Sequence, residues 1–595
     1  MDMKTLTLSF CVLGGALCLS SACATPAKLE PLDVTVDQVL SGGAVFANRA
    51  FQFTPEAARA LGETAYALKD NDAPLSFAVV ADGELSVLTA DAGSGLSRAR
   101  QLEEQGFVRD AGAAFMPFGK NPADKAAVWR KSVKRGESYS LKGRWFVLAG
   151  FDAAGQPKSV VRELTDKERA ILAYTKGKPS ETELPRDILE NLPDYVVFVP
   201  EMSRSRRDKT LPPTTQRGDS YNDHFQVIWD EARSTYFAFW TQASWESAPD
   251  QHIAFSKSSD GGKTWTKPVV LAGSENRAFP KLVASWQQPM LAKSGRLYCL
   301  WNQQTSSRRP HSGDCFGMYS DDAGETWSPP KQVLIPRVDQ DDPDPTVPPS
   351  WCNWQRPLRL GAGGRFFVGC SHHGKAAYDE QGKTKIEFWQ YENIDENPNV
   401  EDIRVSIFNT NRNALTADQV DGEGDPIFTK GGCVLEEVAP MKLPDGRLFG
   451  VMRSSTGYLI WSQSRDEGRT WEKPRILRDE NGKPFLHPCS PDPFYDWKGP
   501  EAASGYYFGL VHNKFDFNGD RAYQDRGPLY IVTGRFDPTG AQPVKFTPAT
   551  RLFAPRKHGN SFYASYTVAN GKGILWFNDH KHFLLGREIG PEWFD

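Results

Sequence analysis

The chain has 595 residues, a formal net charge of −4, and 12% aromatic residues including 17 Trp. That length exceeds one ordinary compact domain, and a balance so near neutral excludes the basic field that nucleic-acid binding demands. The nine Cys show no Cys-x-x-Cys and no His-rich ligand spacing, so no catalytic metal and no cofactor are expected.

The N-terminus reads as an export signal over residues 1–24. Lys4 supplies the charge, Leu6 to Leu19 the apolar run and Ala22-Cys23-Ala24 the cleavage site. The run is too short for an ordinary membrane span, so no integral span is expected. Two fates follow: secretion to the periplasm or exterior, or a lipoprotein acylated at Cys23. Ser20 stands where lipoprotein signals usually carry Leu, which favours secretion. Residues 25–155 carry short strand patterns, such as Leu75-Ser-Phe-Ala-Val-Val-Ala and Arg144-Trp-Phe-Val-Leu-Ala-Gly. They predict a β-sandwich-like domain with one short helix at helical spacing over Pro55 to Leu68. A carbohydrate-binding module is one reading of this domain, and a packing domain that props the rest is the preferred one. Residues 156–194, broken by Pro179, Pro185 and Pro193, predict a linker with a helical piece from Asp166 to Tyr174.

Beyond residue 195 a pattern repeats. Ser258-Ser-Asp260-Gly-Gly262-Lys-Thr264-Trp265 returns as Ser320-Asp-Asp322-Ala-Gly324-Glu-Thr326-Trp327 and as Ser464-Arg-Asp466-Glu-Gly468-Arg-Thr470-Trp471. Ser-x-Asp-x-Gly-x-Thr-Trp suits a tight turn, in which Asp accepts backbone N–H bonds and Gly relieves a positive φ. The Trp then plugs neighbouring units. Three copies at fixed offsets imply one supersecondary unit used several times.

This pattern resembles the Asp box of the sialidase (neuraminidase) superfamily, whose members are six-bladed β-propellers. The resemblance implies a mainly β chain, with the propeller over 195–595. Blades are expected at about Asn222–Leu271, Ser285–Ile335, Cys352–Tyr391, Cys433–Leu477, Ser490–Arg535 and from Asn560 onward. The strand beginning Tyr195-Val-Val-Phe-Val is the natural piece to complete the last blade and close the ring. Cys299 with Cys315, and Cys352 with Cys370, sit on adjacent predicted strands. Disulfides or buried free thiols are both open there.

Trp286-Gln-Gln-Pro289, Trp354-Gln-Arg356-Pro357 and Glu437-Val-Ala-Pro440 are parallel strand openings. Period-two alternation counted from the shared Pro puts Glu437 and Arg356 on one face, toward the central channel, and Glu436 on the other. The resemblance then assigns roles. Glu437 to Arg453 is similar to the superfamily's Glu-to-Arg segment, which implies Glu437 as the base that activates a Tyr nucleophile and Arg453 as a carboxylate-binding residue. Asp525-Arg526-Gly-Pro-Leu-Tyr implies Arg526 as a second. Asp250, on the loop before the first Asp box, is the implied acid/base, with a solvated turn residue as the alternative. Tyr563 is the implied nucleophile, with Tyr566 in reserve. One departure stands out. Where sialidases carry a further Arg in blade one, this chain reads His224-Phe225-Gln226-Val227, and Arg356 or Arg277 is left to supply the grip. The implied activity is release of terminal α-linked sialic acid with retention. The alternatives are a hydrolase or lyase for another acidic sugar, or a non-catalytic glycan-binding propeller. Sialylated or other acidic glycans are the expected partners.

Overall fold

In the computed structural model the chain divides into two units, Met1–Leu192 and Pro193–Asp595. In the first, the structure describes strands at 29–31, 38–39, 44–46, 49–52, 65–66, 75–79 and 147–149, and the stretches 83–91, 99–112, 125–134 and 137–141. In the second it describes 193–201, 218–273, 283–305, 312–361, 364–373, 384–428, 433–498, 505–514, 526–554 and 562–594. The export signal with Cys23, the helix expected at 166–174 and Arg277 lie outside the described residues. No helix among the described residues is long and apolar enough to cross a membrane.

In the first unit one sheet joins Leu29–Pro31, Leu75–Val79 and Ser138–Leu141, and a six-stranded sheet pairs Gly83–Ala90 with Ala126–Val133. Leu85, Val87, Leu102 and Trp129 are buried in it. The one α-helix described is Ala99–Glu104. Helical spacing over Pro55 to Leu68 does not carry to its end, because Ala65–Tyr66 is a strand paired with Gln38–Val39. Cross-strand pairing outweighs local periodicity there.

The second unit is a six-bladed propeller of antiparallel sheets. Their innermost strands are Tyr221–Asp230, Ala284–Leu291, Trp351–Cys352 continued by Leu358–Leu360, Leu435–Lys442, Phe494–Asp496 and Ser565–Ala569. Tyr195–Phe198 pairs with Phe583–Glu588 as the outer strand of blade six, so the strand nearest the N-terminus of the unit completes the last blade.

The Asp boxes show why the sequence folds this way. In each, the Asp carboxylate accepts from the Thr backbone N–H, the Thr hydroxyl and the Ser hydroxyl. For Asp466 these distances are 2.8, 2.6 and 2.8 Å. The turn Gly262, Gly324 and Gly468 have φ of 89, 80 and 89°. A Cβ on Gly468 would lie 2.2 Å from Phe367, and one on Gly324 would lie 2.5 Å from Phe255. Glycine is therefore needed both for the left-handed turn and for the approach of the preceding blade. Each box Trp packs back onto that preceding blade. Trp265 meets Trp576, Trp327 meets Phe255, and Trp471 stacks on Phe388 at 4.2 Å. The buried clusters accordingly lie between successive blades. Trp240 and Phe225 of blade one pack with Trp576 of blade six, and Phe367 of blade three with Leu448 of blade four. Cys299, Cys315, Cys352, Cys370 and Cys489 are free and buried, and Cys433 is buried with its Sγ 3.6 Å from the Ser455 carbonyl.

Candidate active site

Three inner strands carry a bulge at the same place. The pairing register shifts between Asp223 and Gln226, between Ser285 and Gln288, and between Glu436 and Val438. The residues in these gaps, His224, Trp286 and Glu437, have φ of 52, 55 and 53°. A left-handed residue in a strand bends it and re-aims the side chain, at a cost of about 1–3 kcal/mol. Glu437 is the third residue before Pro440. The same count back from Val227, Pro289, Pro357, Tyr495 and Tyr566 gives His224, Trp286, Trp354, Asp492 and Tyr563. One position per blade thus supplies one buried side chain near the axis of the ring.

These side chains meet. The Tyr563 hydroxyl donates to Glu437, 3.0 Å from Oε1 and 3.3 Å from Oε2. Arg453 Nη1 donates to Glu437 Oε2 at 2.6 Å and to the Tyr563 oxygen at 3.1 Å. His224 lies 4.6 Å from the Tyr563 ring, and Trp354 lies 5.8 Å from it. Trp354 Nε1 donates to the Glu437 carbonyl, and the Glu437 N–H to Ser371 Oγ, which fix the bulge. Asn578 accepts the Tyr563 N–H at 2.7 Å. Arg453 Nε donates to Cys489 Sγ at 3.2 Å, while Arg526 Nη2 donates to the Cys489 carbonyl at 3.0 Å. Both guanidinium groups therefore converge on one residue at the entrance to blade five.

Burial sets the electrostatics. It pushes the Tyr563 phenol well above its ordinary range, Glu437 adds to the rise, and Arg453 opposes it. The phenol is neutral at rest, with a carboxylate within reach of its proton. Burial disfavours the charge on Arg453, but Cys489, Glu437 and Glu436 outweigh it and hold the guanidinium charged. Burial, and then Glu437, raise the Glu436 carboxyl against the pull of Arg453. Asp492 is fully buried, and neither carboxylate oxygen has a hydrogen-bond partner among the described residues. Burial and Glu437 push it well above the usual carboxylate range.

The structure brings together Tyr563, Glu437, Arg453 and Arg526 of the residues read from the sequence. It takes Arg356 elsewhere. That guanidinium donates to the Val227 and Tyr566 carbonyls and lines a cavity of about 840 Å³ with Trp229, Met290, Tyr495 and Tyr566, which includes neither Glu437 nor Tyr563. The alternation argument fails at the bulge, because a left-handed residue cancels the period-two count. For the same reason Glu436 does not face away. Its Oε1 lies 3.3 Å from Arg453 Nε. Asp250 is bonded within its own loop region, to the N–H of Gly218 at 2.8 Å, the Ser244 hydroxyl at 2.6 Å and the Ser244 N–H at 3.2 Å. Tyr566 packs toward Tyr495 and Phe508 instead of Glu437. Trp354, Asp492, Cys489 and Lys581 were not read from the sequence. The shared offset from the Pro position would have found Trp354, whereas blade five has Tyr495 at that place and so gives no such signal for Asp492. Lys581, whose Nζ lies 5.1 Å from the Tyr563 ring, comes from a turn in blade six and carries no such signal.

The family model described as "BNR repeat-like domain" matches residues 234–484, the part of the chain that holds all three Asp boxes. That match places the middle of the propeller among BNR-repeat-like domains. Among solved structures the chain is similar to the Hadza microbial sialidase Hz136, at 12% identity and TM-score 0.46, over 94% of this chain and 99% of that one. It is similar to the NanB sialidase from Streptococcus pneumoniae at 11% identity and TM-score 0.45, over 96% and 94%. The intramolecular trans-sialidase from Ruminococcus gnavus is similar at 13% identity and TM-score 0.42, over 63% and 96%. No curated protein matches the chain.

Proposed function

We propose that the protein is an exported, retaining exo-glycosidase that releases a terminal α-linked sialic acid. The observation that carries this reading is the buried Tyr563–Glu437 hydrogen bond with Arg453 donating to both partners. A phenol of ordinary pKa near 10 is a poor nucleophile at neutral pH. A carboxylate 3.0 Å away can take its proton as attack begins. In this mechanism the Tyr563 oxygen bonds to the anomeric carbon, Glu437 accepts the phenolic proton, and the bond to the leaving oxygen breaks. Asp250 is the acid that protonates that oxygen, and for this its loop must exchange the bonds to Gly218 and Ser244. Water then cleaves the tyrosyl glycoside, and the phenol recovers its proton. The Tyr route is the known exception among glycosidases that otherwise use two carboxylates. A neutral nucleophile also avoids placing a second anion beside the sugar's own carboxylate. Arg453 and Arg526 bind that carboxylate, for which a planar guanidinium fork is suited.

A second reading, a hydrolase or lyase for another acidic sugar, is favoured by His224 at the blade-one position. Mass spectrometry of products across a panel of acidic glycans separates the two. Release of free sialic acid supports the first. Its absence, with another sugar acid released, replaces it by the second. Sugar binding without product on any glycan identifies a non-catalytic binding propeller.

A further inference from the structure

His224 occupies in blade one the position that Glu437 occupies in blade four. Its backbone is left-handed, its side chain is 6% exposed, and its ring lies 4.6 Å from Tyr563 and 6.1 Å from Trp286. Nothing in the mechanism above uses it. Its Nδ1 is sealed without a hydrogen-bond partner among the described residues, 4.0 Å from Asp223 Oδ2. Asp223 is in turn held by the Tyr221 hydroxyl at 2.8 Å, Asn578 Nδ2 at 2.7 Å and Lys581 Nζ at 3.0 Å. Lys581 is itself paired with Glu246 at 2.8 Å. The positive charge on this side of Tyr563 is therefore already neutralised by two carboxylates, and it is poorly placed to demand an anion from a ligand.

The imidazole has a defined role to offer. Burial holds it below its ordinary range against the pull of Asp223, so the ring is neutral. A carboxylate facing Nδ1 favours the proton on that nitrogen, which leaves Nε2 as an acceptor on the ring's other edge. We propose that His224 is a specificity-determining residue whose Nε2 accepts a hydrogen bond from a hydroxyl of the bound sugar. The mouth is then divided: blades four and five, through Arg453 and Arg526, take the acid group, and blade one takes an uncharged hydroxyl. This rests on the reading that the Tyr563–Glu437 cluster is the ligand site.

The test is titration calorimetry of the full chain with S-linked, non-hydrolysable sialosides: the parent methyl thioglycoside and its mono-deoxy analogues. His224→Phe keeps a ring against Tyr563 and removes the acceptor, and His224→Gln restores one. The proposal expects His224→Phe to weaken the parent about 3- to 10-fold, the worth of one neutral hydrogen bond, with recovery in His224→Gln. It also expects one deoxy analogue to lose the same factor against the wild type and nothing further against His224→Phe. If wild type and His224→Phe bind the whole panel alike, or every deoxy penalty persists in the variant, the His224 contact is overturned while the glycan site stands. If the wild type binds no member of the panel, the sialoside reading and the contact fall together.

Discussion

Glu437→Gln isolates the charge that the proposed chemistry requires. The amide matches the carboxylate in size, and its oxygen can still accept from Arg453 Nη1, now at 2.6 Å. What disappears is the ability to take the Tyr563 proton. Positioned proton transfer contributes about 10²- to 10⁴-fold, or about 3–5.5 kcal/mol of barrier. The structural cost is smaller. One buried charge-assisted hydrogen bond is worth about 1.5–3 kcal/mol, and Glu436 remains 3.3 Å from Arg453 to hold the guanidinium. For a unit of about 400 residues that is a fall in Tm of about 2–4 °C. The assay is hydrolysis of a fluorogenic sialoside alongside thermal melts. The reasoning predicts kcat down by at least about 100-fold with a melt that barely moves. A kcat within threefold (about 0.7 kcal/mol) of the wild type would refute it. So would a loss of rate that came only with a collapse of the fold.

Tyr563→Phe should abolish turnover while costing little stability, since it removes one hydroxyl, worth about 1 kcal/mol; near-normal release of the fluorophore would reject the nucleophile assignment. His372 gives a pH prediction. Burial opposes its charge, but bonds to Asp341 at 3.0 Å and Glu387 at 2.8 Å outweigh this and push it up to about 9. A raised pKa stabilises the fold fully below the unfolded value, near 6.5, and that stability is lost as pH rises through about 9. Melts from pH 6.5 to 10 should therefore decline by about 3 kcal/mol, or roughly 4 °C, and His372→Gln should flatten that slope; an unchanged slope in the variant would dismiss the ion pair as its source. In blade four, which carries the third Asp box, Trp471→Ala removes a ring stacked on Phe388 and should cost about 3 kcal/mol. Asp466→Ala removes two exposed turn bonds and one half-buried one and should cost about 1 kcal/mol. Denaturant melts that reverse this order would contradict the plug role of the tryptophan.

The propeller was legible because its unit repeats: an Asp to tie the turn, a Gly to admit the previous blade and a Trp to cover it are local demands, and local demands are written in contiguous residues. Glu437, Arg453, Arg526 and Tyr563 were legible through short segments that resemble a known superfamily. The orientation of each side chain was not. Alternation along a strand holds only while every residue stays extended, and Glu437 at φ 53° does not. That one dihedral turned Arg356 from a presumed neighbour of Glu437 into a tether between Val227 and Tyr566. It also brought Glu436 to Arg453. Lys581 and Cys489 reach the cluster from turns and strand entrances far apart in the chain, where no spacing rule connects them. The amino-acid order by itself determined the repeated unit, and with it the ring. Which six side chains share the axis was decided by the closing of that ring, because blade packing, not sequence distance, sets what lies within a hydrogen bond of Tyr563.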